Sequence, residues 1–325
     1  MTTFGVVVIG RNEGDRLRRC LESVQGLPNG LVYVDSGSTD DSIAVAQACA
    51  ATVVELDLRR AFTAARARNE GFQTLIQMQP TLNYVFFVDG DCEVVSGWLE
   101  KAKQFLDQHG DVAVVSGLRR ERFPEKSIYN LLIDIEWREY PFGDVKFCGG
   151  DALIRVSAFQ QVKGYRAELI CGEEPEMCVR LRKAGWRIWR LNEPMALHDA
   201  AMYRFGQWWK RGVRGGYAFA LGASLHGASS EHHSVFESSR AWIWGLAIPL
   251  GIVFLVALGS WWYLLLFAIY PLQVVRLARR CKQSKRESWW RAAALVLGKF
   301  SEMVGQMKFL VDRIRRTQPR LIEYK

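Results

Sequence analysis

Asp89-Gly90-Asp91 stands directly behind an apolar run, Tyr84-Val85-Phe86-Phe87-Val88. Two carboxylates one residue apart at the end of a buried strand can both face a crevice and hold a divalent cation against a diphosphate. An ordinary solvated turn closes many strands with the same pattern, so neighbouring motifs must decide. Asn12 and Asp35 also fall at the ends of apolar runs, Gly5 to Ile9 and Leu31 to Val34. Ligands of open α/β sheets bind outside the carboxyl ends of the strands. Three polar side chains at three such ends predict one site.

The elements that must carry these residues alternate. Gly5 to Ile9, Leu31 to Val34, Thr52 to Leu56, Tyr84 to Val88 and Val112 to Ser116 read as strands. Asp15 to Val24 holds Leu17, Cys20, Leu21 and Val24 at helical spacing. Ser42 to Ala51, Ala61 to Met78 and Trp98 to His109 read as further helices, the first of them preceded by Ser, Thr and Asp residues able to cap it. Strands alternating with helices predict an α/β layer with a mostly parallel sheet. Beyond Ser127 the pattern mixes. Cys148 to Arg155 reads as a loop entering a strand, and Glu173 to Ala184 as a helix whose acidic first turn suits its dipole. Trp186 to Trp189 reads as a short strand, with His198-Asp199 after it.

The 325 residues allow one large domain or two modest ones. The seven cysteines are scattered and form no Cys-x-x-Cys pair, which argues against a disulfide framework or a structural zinc site. The first ten residues lack a basic region and a long apolar stretch, and read as a strand rather than a leader. Hydrophobic residues make up 49%, and the excess is local: residues 241–275 hold no charge and include Trp242, Trp244, Trp261, Trp262 and Tyr263. That window exceeds one upright span of roughly 20 residues. Gly259-Ser260 splits it, so it reads as a hairpin of two short membrane helices, the alternative being a buried soluble hairpin. Net charge is +9, with Arg276, Arg279, Arg280, Lys282, Lys285, Arg286 and Arg291 just past the window, and Arg313, Arg315, Arg316, Arg320 and Lys325 at the end. Basic residues flanking an apolar stretch predict an anionic membrane surface on the cytoplasmic side, not a nucleic acid. Trp289 to Ile314 carries an apolar stripe opposite Lys299, Glu302, Lys308 and Arg315, as an interfacial or docked helix would.

Taken in order, Val6 to Glu13, Val34 to Asp40, Ala67-Arg68-Asn69-Glu70-Gly71, Asp89-Gly90-Asp91, Gly149-Gly150 and Gly172-Glu173-Glu174-Pro175-Glu176 resemble the family 2 glycosyltransferases, over roughly residues 4 to 195. These are inverting enzymes of GT-A fold, here in the bacterial form with a C-terminal membrane hairpin. The resemblance implies a Rossmann-like mixed α/β sheet with helices on both faces. It also implies a catalytic domain over residues 1–235, a membrane-associated hairpin over 236–280, and a basic amphipathic helix and tail over 281–325.

Roles follow from the resemblance residue by residue. Asp35 would accept a hydrogen bond from uracil, the alternative being an Asx turn or helix cap. Asn12 and Glu13 would belong to the nucleotide-contacting loop, or to plain turn chemistry. Arg68 would lie near the nucleotide, or on a solvated helical face. Asp91 would bind Mg²⁺ or Mn²⁺ directly, with Asp89 on the ribose or a metal-bound water, and His198 as an extra ligand or a structural histidine. The family's base is usually the Asp of a Glu-Asp pair. Here Glu174 holds that position with Glu173 beside it, and the close acids should raise one another's pKa.

The expected activity is transfer of one sugar from a nucleotide sugar, UDP being favoured by Asp35, to a hydroxyl of a lipid-linked or membrane-proximal glycan. The expected place is the cytoplasmic face of the inner membrane, in envelope polysaccharide assembly. A glycosyltransferase with a soluble acceptor and the hairpin only as anchor is one alternative. A non-catalytic scaffold is another, opposed by the retained acidic pairs. A nucleotidyltransferase would need a Gly-rich basic loop that Gly10-Arg11-Asn12-Glu13 does not supply. Gln207-Trp208-Trp209-Lys210-Arg211 departs from the Gln-x-x-Arg-Trp order of processive synthases, and could instead meet a lipid phosphate or a sugar.

Overall fold

The computed structural model describes residues 3–27, 29–60, 62–281, 284–316 and 322. Ala61, Lys282, Arg320 and Lys325 lie outside them. The chain divides into two compact units, Met1–Arg122 with Glu136–Ala200, and Phe123–Ile135 with Ala201–Lys325.

Nine strands make one mixed sheet: β1 (Phe4–Gly10), β2 (Leu31–Asp35), β3 (Thr52–Glu55), β4 (Tyr84–Asp89), β5 (Cys92–Val94), β6 (Val112–Glu121), β7 (Gly143–Asp144), β8 (Ala152–Arg155) and β9 (Arg187–His198). Their order is β3-β2-β1-β4-β8-β6-β9-β5, with β7 on β9. Pairings among β1 to β4 and between β6 and β9 are parallel, whereas β8, β5 and β7 pair antiparallel with their neighbours. The expectation of a mostly parallel sheet therefore holds only for its first half, because β8 enters from a loop rather than from a crossover helix.

Alternation along β1 shows how the layers form. Val6 and Val8 face a core built with α1 (Asp15–Val24), α2 (Ser42–Ala48) and, further along, α4 (Trp98–Gln108). Val7 and Ile9 face the other core, with α3 (Ala64–Met78), α6 (Val156–Gln161) and α7 (Glu173–Lys183). The helix α5 (Ile128–Glu139) runs across the division between the units. Period-two apolar runs with both faces buried are what a covered sheet demands.

Two strands outrun their sequence signal. β6 continues past Ser116 to Glu121, and β9 continues past Trp189 to His198. Polar Asn192-Glu193 and Pro194 mask β9, and register shifts on either side of Leu118, which faces Pro194, accommodate the interruption. His198 is thus the last residue of a strand, not a residue after one. α3 begins at Ala64, capped by Thr63, whose oxygen accepts from the Arg66 N–H at 3.0 Å.

The second unit is helical: α8 (Phe205–His226), α9 (Val235–Trp242), α10 (Ile248–Leu258), α11 (Ile269–Ala278) and α12 (Lys285–Arg315). A π turn joins α9 to α10, giving a helix over Val235–Leu258, and a 3₁₀ stretch leads into α11, giving another over Trp261–Ala278. The break falls at Gly259-Ser260, as the sequence predicts. At 24 and 18 residues both are long and apolar enough to cross a membrane. They are joined by the Tyr270 hydroxyl, which donates to the Trp244 carbonyl at 2.6 Å. Phe254, Leu258, Trp261, Leu265 and Leu272 are each 61–68% exposed.

α8 and α12 cross at close range. A Cβ on Gly216 would sit 1.8 Å from the Glu302 carbonyl oxygen, and one on Gly305 would sit 2.0 Å from that of Val213. Gly212 and Gly216, four apart, face Ser301 and the Glu302 backbone, and Gly305, four past Ser301, faces the backbone of Val213 and Tyr217. Small residues at this spacing let two backbones touch.

Candidate active site

Sheet register builds the site. Ile9 pairs with Asp89 and Gly10 with Asp35, so the carboxyl ends of β1, β2 and β4 lie flush. At the other edge His198 pairs with Cys92 on β5 and with Glu121 on β6. Asp91 immediately precedes β5. His198 Nε2 lies 3.3 Å from Asp91 Oδ2, and its Nδ1 lies 3.2 Å from Glu121 Oε2. The Trp137 ring packs edge-on against the imidazole at 4.8 Å. Glu121 is buried and also accepts from the Ala200 N–H at 3.1 Å.

This geometry fits a hard divalent cation. With Nδ1–H donating to Glu121, the Nε2 lone pair faces a carboxylate oxygen, and two acceptors 3.3 Å apart call for a proton or a cation between them. A carboxylate behind a ligating imidazole is the usual means of fixing tautomer and ring orientation. Asp91, Cys92 and His198 bring their donor atoms within 4.8 Å of one another.

Arg68 is buried, not on a solvated face. Its guanidinium joins Asp89 Oδ1 at 2.7 Å to Glu173 Oε1 at 2.9 Å, with the Tyr165 ring 5.6 Å away. Burial opposes the charge, but Asp89, Tyr165, Glu173 and Asp151 together raise its pKa. Acids 84 residues apart thus meet on one cation. A Cβ on Gly150 would lie 2.8 Å from Asp89 Oδ2 and 3.0 Å from Arg68 Nη2, so the Gly149-Gly150 loop keeps room at this pair. Asp151, fully buried, accepts from the Asp89 N–H at 3.0 Å and pairs with Arg119 at 2.5 Å. Arg119 in turn lies over Trp137 at 5.0 Å.

Glu174 faces inward. Its Oε1 accepts from the Cys148 N–H at 2.6 Å, from the Cys148 thiol at 3.2 Å and from the Cys178 thiol at 3.1 Å. Glu176 pairs with Arg180 at 2.7 Å and with Arg166 at 3.0 Å. The three acids opening α7 therefore have three separate sets of partners. The Cys148 thiol is raised by its hydrogen bond with Cys178 and by burial, while burial first of all pushes Cys178 up to about 11.

The loops at β1 and β2 show turn chemistry. Asp35 Oδ2 accepts from the Gly37 and Ser38 N–H groups, both at 2.8 Å, and Oδ1 accepts from the Ser38 hydroxyl at 2.5 Å and the Tyr33 hydroxyl at 3.0 Å. Both oxygens are engaged within the loop, as the Asx-turn alternative requires. Asn12, at φ 56°, accepts from the Thr39 N–H at 2.7 Å, and Glu13 pairs with Arg16 at 2.8 Å.

Glu121, Asp151, Arg119 and Trp137 are the site residues that sequence reasoning missed. Arg119-Arg120-Glu121-Arg122 reads as a solvated charged run once β6 is ended at Ser116. The signal available was Asp151 after the paired glycines, a charge without a periodic neighbour.

The mixed α/β sheet is of GT-A type, and its strand ends carry an acidic pair and an imidazole backed by a carboxylate. The model described as "Glycosyl transferase family 2" matches residues 5–206, and the chain belongs to that family. It is 30% identical over 210 residues to the pre-mycofactocin glycosyltransferase of Mycobacterium tuberculosis, covering 60% of this chain and 42% of that protein. The chain thus spans less than half the length of the curated relatives it matches. The fold is shared with the mannosyltransferase PcManGT of Pyrobaculum calidifontis, solved with GDP-Man and Mn²⁺ (TM-score 0.66, 19% identity, 96% of this chain and 88% of that one). It is shared too with residues 1–349 of TarS from S. aureus, solved with UDP-GlcNAc (TM-score 0.50, 14% identity, 97% and 93%).

Proposed function

We propose that this glycosyltransferase moves one sugar, with inversion, from a nucleotide diphosphate donor to a hydroxyl of a lipid-linked or membrane-proximal acceptor. Two observations carry the reading: Arg68 joins Asp89 to Glu173 in the first turn of α7, and His198 Nε2 meets Asp91 just beyond Asp89. Asp91 and His198 would hold Mg²⁺ or Mn²⁺, with Glu121 orienting the imidazole. When bound, such a cation neutralises charge developing on the departing diphosphate.

The chain's own residues account for the remaining steps. Arg68 keeps Asp89 at the ribose side and fixes Glu173 against it. Glu174 takes the acceptor proton: its contacts with Cys148 and Cys178 all fall on Oε1, which leaves Oε2 as the reacting oxygen. Asn12, Glu13 and Asp35 shape the loops under the nucleotide. With Asp35 engaged by its own loop, UDP rests on the family pattern, and GDP is its rival, being the donor carried by PcManGT.

The membrane part of the proposal rests on the two exposed apolar helices and on the outward row of α12, including Leu297, Val304, Leu310 and Ile314. Arg240 before the first helix's apolar stretch and Arg276, Arg279 and Arg280 at the end of the second favour one cytoplasmic face for both ends. On this reading residues 1–235 are catalytic, 236–280 the hairpin and 281–325 the interfacial helix and tail.

A panel of UDP-, GDP- and dTDP-sugars, with Mn²⁺ or Mg²⁺ and a membrane extract as acceptor, tests the proposal. One donor should be hydrolysed slowly alone and label the lipid-extractable fraction with extract present. Label appearing only in water-soluble glycans would replace the acceptor class. Full turnover in Glu174→Gln with Glu173→Gln inactive would move the base by one residue.

A further inference from the structure

Cys148, Glu174 and Cys178 bring one donor atom each within 4.8 Å, and all three side chains are buried. Cys148 comes from the loop before the paired glycines, whereas Glu174 and Cys178 lie one turn apart on α7, so three ligands are presented by two separately anchored elements. The Sγ···Sγ separation is 3.7 Å. A tetrahedral zinc ion with Zn–S bonds near 2.3 Å requires about 3.8 Å between its sulfurs, and a Zn–O bond near 2.0 Å puts sulfur and oxygen about 3.5 Å apart. The observed sulfur–oxygen separations are 3.2 and 3.1 Å. A disulfide needs about 2.05 Å between sulfurs, so the pair would have to close by more than 1.5 Å. The sulfur–sulfur spacing fits a bridging cation and not a disulfide, and the sulfur–oxygen spacings, held by thiol hydrogen bonds, need to open by roughly 0.3–0.4 Å to meet the zinc geometry.

We propose that Cys148, Glu174 and Cys178 are a binding site for a thiophilic divalent cation of the zinc class, and that filling it stops transfer. Binding joins Zn²⁺ to two thiols and one carboxylate and releases two protons to solvent. The fourth position goes to water, reached past Cys148 and Glu174, which keep 7% and 8% of their surface. Zinc on Oε1 draws charge from the whole carboxylate, so Oε2 is weakened as a base. This inhibitory half rests on the reading of Glu174 as that base; the binding half does not.

The full chain, reduced and freed of metal, is titrated with Zn²⁺ against a chromophoric chelator, and separately with Co²⁺ while the absorption spectrum is recorded. Two equivalents are expected, one held at Asp91 and His198 and one giving thiolate-to-cobalt charge-transfer intensity appropriate to two sulfurs. Cys178→Ser should weaken binding of the two-sulfur equivalent at least 100-fold, and Cys92→Ala should leave that equivalent unchanged. The cobalt spectrum of the unaltered chain decides the matter if Cys178→Ser fails to fold. A spectrum without thiolate bands, or binding lost in Cys92→Ala and kept in Cys178→Ser, overturns the site. Zinc bound by both sulfurs with turnover in Mn²⁺ undiminished keeps the site and overturns Glu174 as base.

Discussion

Two three-residue clusters in the first compact unit invite comparison. Asp91, His198 and Glu121 are brought together by strand register, with nitrogen and oxygen atoms, at the edge of the sheet. Cys148, Glu174 and Cys178 are brought together by a loop and a helix start, with two sulfurs around one carboxylate. Both are buried and similar in size, yet the first suits a hard cation that meets phosphate and the second a soft one. On the proposed reading, donor chemistry and not proximity would separate a cluster for turnover from one that can arrest it.

The comparison is broken most directly at Asp91. Asp91→Asn should lower transfer with Mn²⁺ on the order of 100- to 1,000-fold while zinc binding at the cysteines persists; initial rates and the chelator titration check both. Arg68→Met leaves the buried Glu173 and the partly exposed Asp89 without their shared cation, and should cost about 3 kcal/mol in a urea titration as well as most activity. A smaller effect is expected at Glu121. Glu121→Gln keeps the shape but weakens the hold on His198, and Mn²⁺ affinity read by activation curves should fall roughly 10- to 100-fold. An unchanged activation curve would reduce Glu121 to a structural acid.

The smallest effect concerns pH. The Cys178 thiol has its folded pKa raised from 9.0 to about 11. The neutral form is favoured in the fold, so its contribution is fully present below pH 9 and is lost as pH rises towards about 11. Melting temperature should therefore fall over that window, and fall less in Cys178→Ala. Equal slopes in both proteins would mean that other groups govern alkaline unfolding.

Most of the sheet and the flush strand ends were legible because their apolar runs are buried on both faces, and Asp15–Val24 has the predicted limits. What was not legible depends on register. Nothing local in Arg119-Arg120-Glu121 says that Glu121 lies beside His198, 77 residues away, and Pro194 hides the strand that aligns them. The direction in which Glu174 points was equally hidden, since its partner Cys148 reads as an isolated thiol. Asp35 shows the opposite case: the Ser-Gly-Ser sequence after it is a turn signal, and the turn engages both of its oxygens.

The meeting of α8 and α12 has a consequence for handling the protein. Gly216 and Gly305 set main chain directly on main chain, an attraction of close-packed atoms that owes little to expelling water. Such a joint should hold equally in buffer, micelle or bilayer. Introducing one methyl group there, as in Gly216→Ala, should loosen the helices in every solvent alike, whereas trimming outward side chains such as Leu258 or Leu265 should matter only where lipid is present.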